Sequence, residues 1–353
     1  MQRVVYMSQS IQTFEDVGMH RWAVILAGGD GTRLRPLTQL ACGDNRPKQF
    51  CPLLGGKTLL AKTRQRISSS IEQDQTLFVL TKKHEPFYSK ELEKVPPAQM
   101  VVQPANRGTL PAILWTLLRL FRRDERALVA FFPSDHYFAD EKKFMTTVES
   151  AFDQSARNRG SVILLGASST RPETEYGWIE PELPQVTGDN DRLMRVKRFW
   201  EKPSRTVAQS LLDRRCFWNT FVMIGSAVAF LAMIQRSCPT IFEAFESALL
   251  RSDAEMEEEL MKHMYDHLSP IDFSKQVLCA STAELSVATC GDAGWSDLGD
   301  PRRLVTALSE AGIDSPWASS GVCSICGLKP DNAATPSFGV STPVVVLEGV
   351  ATQ

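Results

Sequence analysis

The chain has 353 residues, of which 43% are hydrophobic, and a formal net charge of −2. That is ample material for a large core, and it leaves no basic footprint for binding nucleic acid or an anionic membrane surface. No apolar run reaches the length needed to span a bilayer, and the first 19 residues lack the apolar centre of a signal peptide, so a cytoplasmic protein is expected.

Short apolar runs alternate with helical patterns along the first half. Residues 22–27, 76–81, 100–103, 127–132 and 161–167 read as strands, and 57–69, 109–122 and 142–156 read as helices between them. This alternation predicts an α/β fold, a mixed and mostly parallel sheet with helices on both faces. Ligands of such sheets sit in the crevice at the carboxyl ends of the strands. Past residue 170 the pattern is mixed. Residues 192–200 and 217–225 read as strands of a substrate-side region, and 226–251 and 255–266 as helices, with the acidic run 255–259 a solvated helix face. From 315 onward the chain is rich in Gly, Ser, Pro and Ala, with one apolar strand at 344–347. The organisation read from this is an extension over 1–20, a domain over 21–314 with halves at about 21–167 and 168–314, and a tail over 315–353. The eight cysteines are scattered, which suits a reducing compartment. Cys323 and Cys326 lack the second pair a zinc site needs and read as incidental thiols.

The most informative stretch is Leu26-Ala27-Gly28-Gly29-Asp30-Gly31-Thr32-Arg33-Leu34, followed by Pro47-Lys48-Gln49-Phe50. Glycines directly after a buried strand let the backbone turn sharply and approach a ligand. Successive N–H groups in such a turn form a concavity for anions, and Arg33 and Lys48 add two cations at its lip. The dinucleotide fingerprint would want glycine at Leu34, and a P-loop would need a Gly-Lys-Ser/Thr ending that is absent.

These residues resemble the signature of the sugar-1-phosphate nucleotidyltransferases, nearest to the mannose-1-phosphate guanylyltransferases. The resemblance continues in order through residues 103–112, Pro133-Ser134-Asp135-His136, Tyr176-Gly177-Trp178-Ile179-Glu180, 199–203, Trp218-Asn219, Pro270-Ile271-Asp272 and 294–299, and so covers about residues 20–305. It implies a Rossmann-like nucleotidyltransferase fold and transfer of a nucleotidyl group from GTP to mannose 1-phosphate, with Mg²⁺ as cofactor. The expected partners are these small molecules, with no nucleic acid and no membrane. The resemblance also allows a homodimer.

The implied reaction brings a dianion to a tetra-anion, and a phosphate–cation contact near 4 Å is worth about 4 kcal/mol at an effective dielectric of ~20. Cations and positioning therefore carry the work. By resemblance, Leu26, Ala27, Gly28, Gly29, Gly31, Thr32, Arg33, Lys48, Gln103, Gly108 and Thr109 hold the nucleotide. Asp135 and Asp297 hold the metal, and with Arg33 and Lys48 they form the catalytic set. Gly177, Glu201, Lys202, Asn219 and Asp272 hold the sugar phosphate. A Glu suits bidentate bonding to vicinal hydroxyls and a Lys suits a phosphate. His136 reads as structural. Gln103 stands where the family usually has Glu, which leaves the base open between guanine and the alternatives uracil, thymine and adenine. Two other functions stay open: transfer to another hexose 1-phosphate or from another triphosphate, and a non-catalytic nucleotide-sugar-binding subunit.

Overall fold

The structure, a computed structural model, describes residues 20–182, 193–250 and 254–314. Strands β1 (Arg21–Leu26), β2 (Thr76–Thr81), β3 (Met100–Gln103) and β4 (Leu128–Pro133) come first in the chain. The short β5 (Tyr137–Phe138), then β6 (Val162–Ser168), β7 (Gly177–Pro181), β8 (Met194–Glu201), β9 (Phe217–Ser226), β10 (Leu285–Thr289) and the short β11 (Trp295–Ser296) follow. Nine of them form one sheet in the order β3-β2-β1-β4-β9-β6-β10-β8-β7, and β5 pairs with β11 apart from it. Strands β1 to β4 pair in parallel, as do β6 and β10, while β9 runs antiparallel between β4 and β6. Sequence periodicity predicts the parallel half. The inserted β9 joins the two halves into one sheet, which periodicity alone does not reveal.

The helices follow the same logic of one apolar face per layer. They are α1 (Arg35–Cys42), α2 (Leu59–Ile67), α3 (Glu85–Tyr88), α4 (Thr109–Arg123), α5 (Glu141–Arg157), α6 (Arg205–Asp213), α7 (Ala227–Ser237), α8 (Pro239–Leu250), α9 (Ala254–His267) and α10 (Pro301–Glu310). Helix α4 is apolar almost all round because it lies between the sheet and α7/α8, burying Leu110, Ile113, Leu114, Leu117 and Leu120. Each such burial contributes about 1.5–3 kcal/mol. The helix stops at Asp124, whose carboxylate accepts from the Trp22 indole (2.8 Å) and ties the helix end back to β1. The single helix expected over 226–251 is two helices. Pro239 lacks an N–H and disfavours helical geometry at Cys238 before it, so the chain breaks there and restarts.

Cys42 and Cys51 are bonded to each other, with Cα atoms 6.7 Å apart. The sequence reading, which takes the cysteines as scattered, does not single out this pair. A left-handed turn at Gly43 ends α1, and a tight turn at Lys48–Phe50 brings the chain back alongside it. Cys216, Cys238, Cys279 and Cys290 are free thiols. The expected extension over 1–20 (all but its last residue), Cys323, Cys326 and the strand at 344–347 lie outside the described residues. Among the described residues, no helix is long and apolar enough to cross a membrane.

Candidate active site

The glycine loop leaves β1 at Leu26. Gly31 is left-handed (φ 56°), and a Cβ on it would lie 3.1 Å from the backbone nitrogen of Lys48, so both conformation and space demand glycine. Gln49 donates from Nε2 to the carbonyls of Ala27 (3.0 Å) and Gly29 (2.8 Å), bracing the loop from below. Strand register then gathers the rest. Leu26 pairs with Pro133, so Asp135 follows β4 beside the loop. Thr81 pairs with Gln103 at the same end of the sheet. The antiparallel β5–β11 ladder pairs Trp295 with Phe138 and Ser296 with Tyr137, which delivers Asp297.

Lys48 ties Asp135 to the backbone at 297 and 298. Its Nζ lies 3.2 Å from Asp135 Oδ2 and donates to the carbonyls of Asp297 and Leu298 (3.2 Å). Sequence reading puts this lysine at the lip of the loop. It lies instead on the floor, buried, because the turn at Lys48–Phe50 tucks Lys48, Gln49 and Phe50 inward together. Arg33 alone is at the lip, exposed and paired with Glu175 at 3.2 Å.

The facing wall is a row across three strands. Gly177 pairs with Glu201, and Trp178 with Trp218, which sets Asn219 next to Gly177. A Cβ on Gly177 would meet Phe199 at 2.9 Å, Glu201 Oε2 at 3.0 Å and Asn219 Cβ at 3.3 Å. Asn219 Oδ1 accepts from the Phe221 N–H (3.1 Å), leaving its NH₂ as the group available to a ligand. Lys202, Phe221 and Leu298 are left-handed non-glycine residues at φ 45°, 59° and 47°. Such costly backbone is concentrated where surrounding structure must hold a side chain in place.

One cavity of about 590 Å³ receives this machinery. Leu26, Gly28, Gly29, Arg33, Gln103, Gly108 and Thr109 line one side, and Asp135 and Asp297 the floor. Gly177, Glu201, Lys202, Asn219 and Asp272 line the other side. Ala27, Gly31, Thr32 and Lys48 are not among the lining residues. Of these, Gly31 shapes the loop and Lys48 acts through the Asp135 carboxylate and the carbonyls of Asp297 and Leu298.

Residues 22–312 match the family model described as nucleotidyl transferase. The chain belongs to the nucleotidyl transferase family. It is 30% identical over 292 residues to the xanthan biosynthesis protein XanB of Xanthomonas campestris pv. campestris, covering 82% of this chain and 60% of that protein. It is 27% identical over 293 residues to mannose-1-phosphate guanylyltransferase 2 of Escherichia coli O157:H7, covering 80% and 58%. The chain thus spans about 60% of the length of these relatives. A solved structure from Thermus thermophilus, described as a mannose-1-phosphate geranyltransferase, superposes with a TM-score of 0.70 at 26% identity, covering 82% of this chain and 80% of that one. A mannose-6-phosphate isomerase structure from Helicobacter pylori shares the fold, with a TM-score of 0.60 at 23% identity, covering 78% and 99%.

Electrostatics separate the two walls. Burial works to raise the Asp297 carboxyl, but the charges of Arg303 and Lys48, together with the Arg303 hydrogen bond, overcome it and hold the group below the usual carboxylate range. Burial pushes the His136 imidazole down, with Asp135 opposing. Its Nδ1 accepts from the Trp295 indole (3.2 Å), so the neutral ring carries its proton on Nε2. Across the cavity, burial and then the Asp272 charge push Glu201 up to about 7, with Lys202 pulling the other way.

Gln103 is buried, and both ends of its amide are engaged. Nε2 donates to the Leu80 carbonyl and Oε1 accepts from the Tyr265 hydroxyl, each at 3.3 Å. Because Leu80 O can only accept, the amide orientation is fixed, and one N–H remains to offer a ligand. Sequence reading misses Tyr265, Tyr176, Arg303 and Gln49, all of which act on site residues from distant parts of the chain. Only Tyr176 and Gln49 fall inside motifs it marks.

Proposed function

We propose that this chain transfers a guanylyl group from GTP to mannose 1-phosphate, releasing pyrophosphate and forming GDP-mannose. The observation that carries the reading is the pair Asp135 and Asp297, with Lys48 bridging the Asp135 carboxylate and the Asp297 carbonyl, facing Gly177, Glu201, Lys202 and Asn219 across one cavity. The reading of guanine and mannose draws on the relatives named above.

The two acids suit Mg²⁺. Both offer hard oxygen donors to the same cavity, and among the described residues no hydrogen bond to Asp297 Oδ2 accompanies the three that Oδ1 accepts. Among the described residues no set of three or more His, Cys, Asp or Glu could hold a metal. Two carboxylates are what Mg²⁺ takes when phosphate oxygens and water complete its shell. When bound, the ion would neutralise triphosphate charge, with Asp135 and Asp297 as its holders.

The chain's own groups do the remaining work. The loop at Gly28 and Gly29 presents backbone to the triphosphate, and Arg33 adds a cation at the rim. Lys202 meets the sugar phosphate, and Glu201 accepts hydrogen bonds from sugar hydroxyls while Asn219 donates. The nucleophile is a phosphate oxygen that is already anionic, so no general base is needed. Its bond to the α-phosphorus forms as the bond to the β-phosphate oxygen breaks, and pyrophosphate leaves with that electron pair. The single free N–H of Gln103 suits an acceptor such as O6 of guanine.

Pyrophosphate release measured across four nucleoside triphosphates and several sugar 1-phosphates tests the reading. The highest kcat/KM is expected for GTP with mannose 1-phosphate. A higher value for another pair overturns the substrate assignment, and no release with any pair overturns the reaction.

A further inference from the structure

One oxygen of Asp297 is fully engaged by the protein itself. Oδ1 accepts from the Tyr176 hydroxyl (2.8 Å), Arg303 Nη1 (2.8 Å) and the Gly299 N–H (2.9 Å). Gly299 lies so close beneath that a Cβ would be 2.4 Å from Oδ2, so only glycine keeps that side open. Arg303 is fixed in turn. Its Nη2 bonds Glu173 Oε2 at 2.7 Å, its Nε lies 2.9 Å from Asp300 Oδ2, and its guanidinium sits 4.5 Å over the Tyr176 ring. With a side chain only 9% exposed, it sits in a rigid frame of three acids and one aromatic face.

We propose that Arg303, with Tyr176, is a positioning residue that locks Asp297 by Oδ1 and leaves Oδ2 as its single donor to a divalent cation. This rests on the proposed metal role of Asp297. A free carboxylate rotates and must be ordered when an ion binds, whereas one held by three donors is ordered beforehand. Geometry rather than charge is the point. The planar fork of arginine reaches Asp297 from Nη1 and Glu173 from Nη2, two nitrogens held in one plane that a lysine ammonium does not have. Groups that orient a metal ligand commonly change affinity about 10- to 100-fold when removed.

The test uses Arg303→Lys, which keeps the charge, and Tyr176→Phe, which keeps the ring packing. Mn²⁺ affinity of the full chain is measured by electron paramagnetic resonance in the presence of a non-hydrolysable GTP analogue, beside wild type and Asp297→Asn. Each substitution is expected to weaken Mn²⁺ binding about tenfold and to raise the KM for Mg²⁺, with the KM for mannose 1-phosphate unchanged. If Asp297→Asn weakens Mn²⁺ binding while Arg303→Lys and Tyr176→Phe do not, the positioning role is overturned and the metal reading stands. If Asp297→Asn leaves Mn²⁺ binding unchanged, the metal reading fails and the positioning role with it. Far-ultraviolet circular dichroism melting keeps a folding defect in one variant distinct, and Tyr176→Phe then decides alone.

Discussion

Glu201 is where the proposed chemistry and the electrostatics meet most directly. Its carboxyl is lifted from 4.5 to about 7 by burial first and by Asp272 second. An unfolded chain releases this proton near 4.5 and the folded protein only near 7. Stability is therefore greatest below 4.5, falls as pH rises through that window, and carries the full penalty above 7. At 1.36 kcal/mol per pH unit the penalty has a ceiling of about 3.4 kcal/mol. Solvent screening of a half-buried group brings it to about 1–2 kcal/mol. Glu201→Gln should accordingly raise unfolding free energy by about 1–2 kcal/mol at pH 8 and change it little at pH 4, as read from urea titrations.

The same proton controls binding if Glu201 accepts from sugar hydroxyls. With a midpoint near 7, about a tenth of the free enzyme is ionised at pH 6 and about nine-tenths at pH 8. The kcat/KM for mannose 1-phosphate at saturating GTP should rise about tenfold over that range, beyond the smaller change from the substrate phosphate, whose own second ionisation lies near 6. Removing the Asp272 charge favours ionisation, so Asp272→Asn should move the rise to lower pH. A profile that keeps its inflection in Glu201→Gln, or one that does not move in Asp272→Asn, refutes the reasoning.

Other substitutions separate the roles on the two walls. Asp135→Asn and Asp297→Asn should each lower kcat about 100-fold or more with the far-ultraviolet circular dichroism of wild type, Asp297→Asn at a lowered thermal midpoint because it loses its ion pair with Arg303, and chelator should abolish wild-type turnover. Lys202→Ala should raise the KM for the sugar phosphate about 10- to 100-fold with little effect on GTP, and Arg33→Ala should do the reverse, as kinetics with each substrate varied alone would read. Tyr265→Phe removes the donor that fixes the Gln103 amide, a bond worth about 1 kcal/mol, so preference for GTP over the other triphosphates should change about fivefold. An unchanged preference would mean that Gln103 does not meet the base.

What the sequence discloses and what it hides follow the range of the interactions involved. Strands β1 to β4 are legible because each is a short apolar run bounded by turn residues, and their carboxyl ends must converge once they are parallel. That argument brings the glycine loop, Gln103 and Asp135 together without any side-chain detail. The second wall is legible only through motif resemblance, since the row of Gly177, Glu201 and Asn219 depends on the antiparallel register of β7, β8 and β9, which local patterning does not fix. Burial is harder still. Nothing local distinguishes a lysine at a loop's lip from one on its floor, and Lys48 is on the floor because Asp135, 87 residues on, and the carbonyls of 297 and 298, about 250 residues on, meet it there. Arg303 is the limiting case. Read locally it is an ordinary basic residue in the first turn of a helix, where the helix dipole makes a cation unfavourable. Its place becomes explicable only when Glu173, Asp297 and Asp300 surround it, and those carboxylates would otherwise repel one another beside a site meant to hold phosphates. The residues that bear the chemistry are thus written in local motifs, while the residues that hold them in register and in charge state are written in the fold.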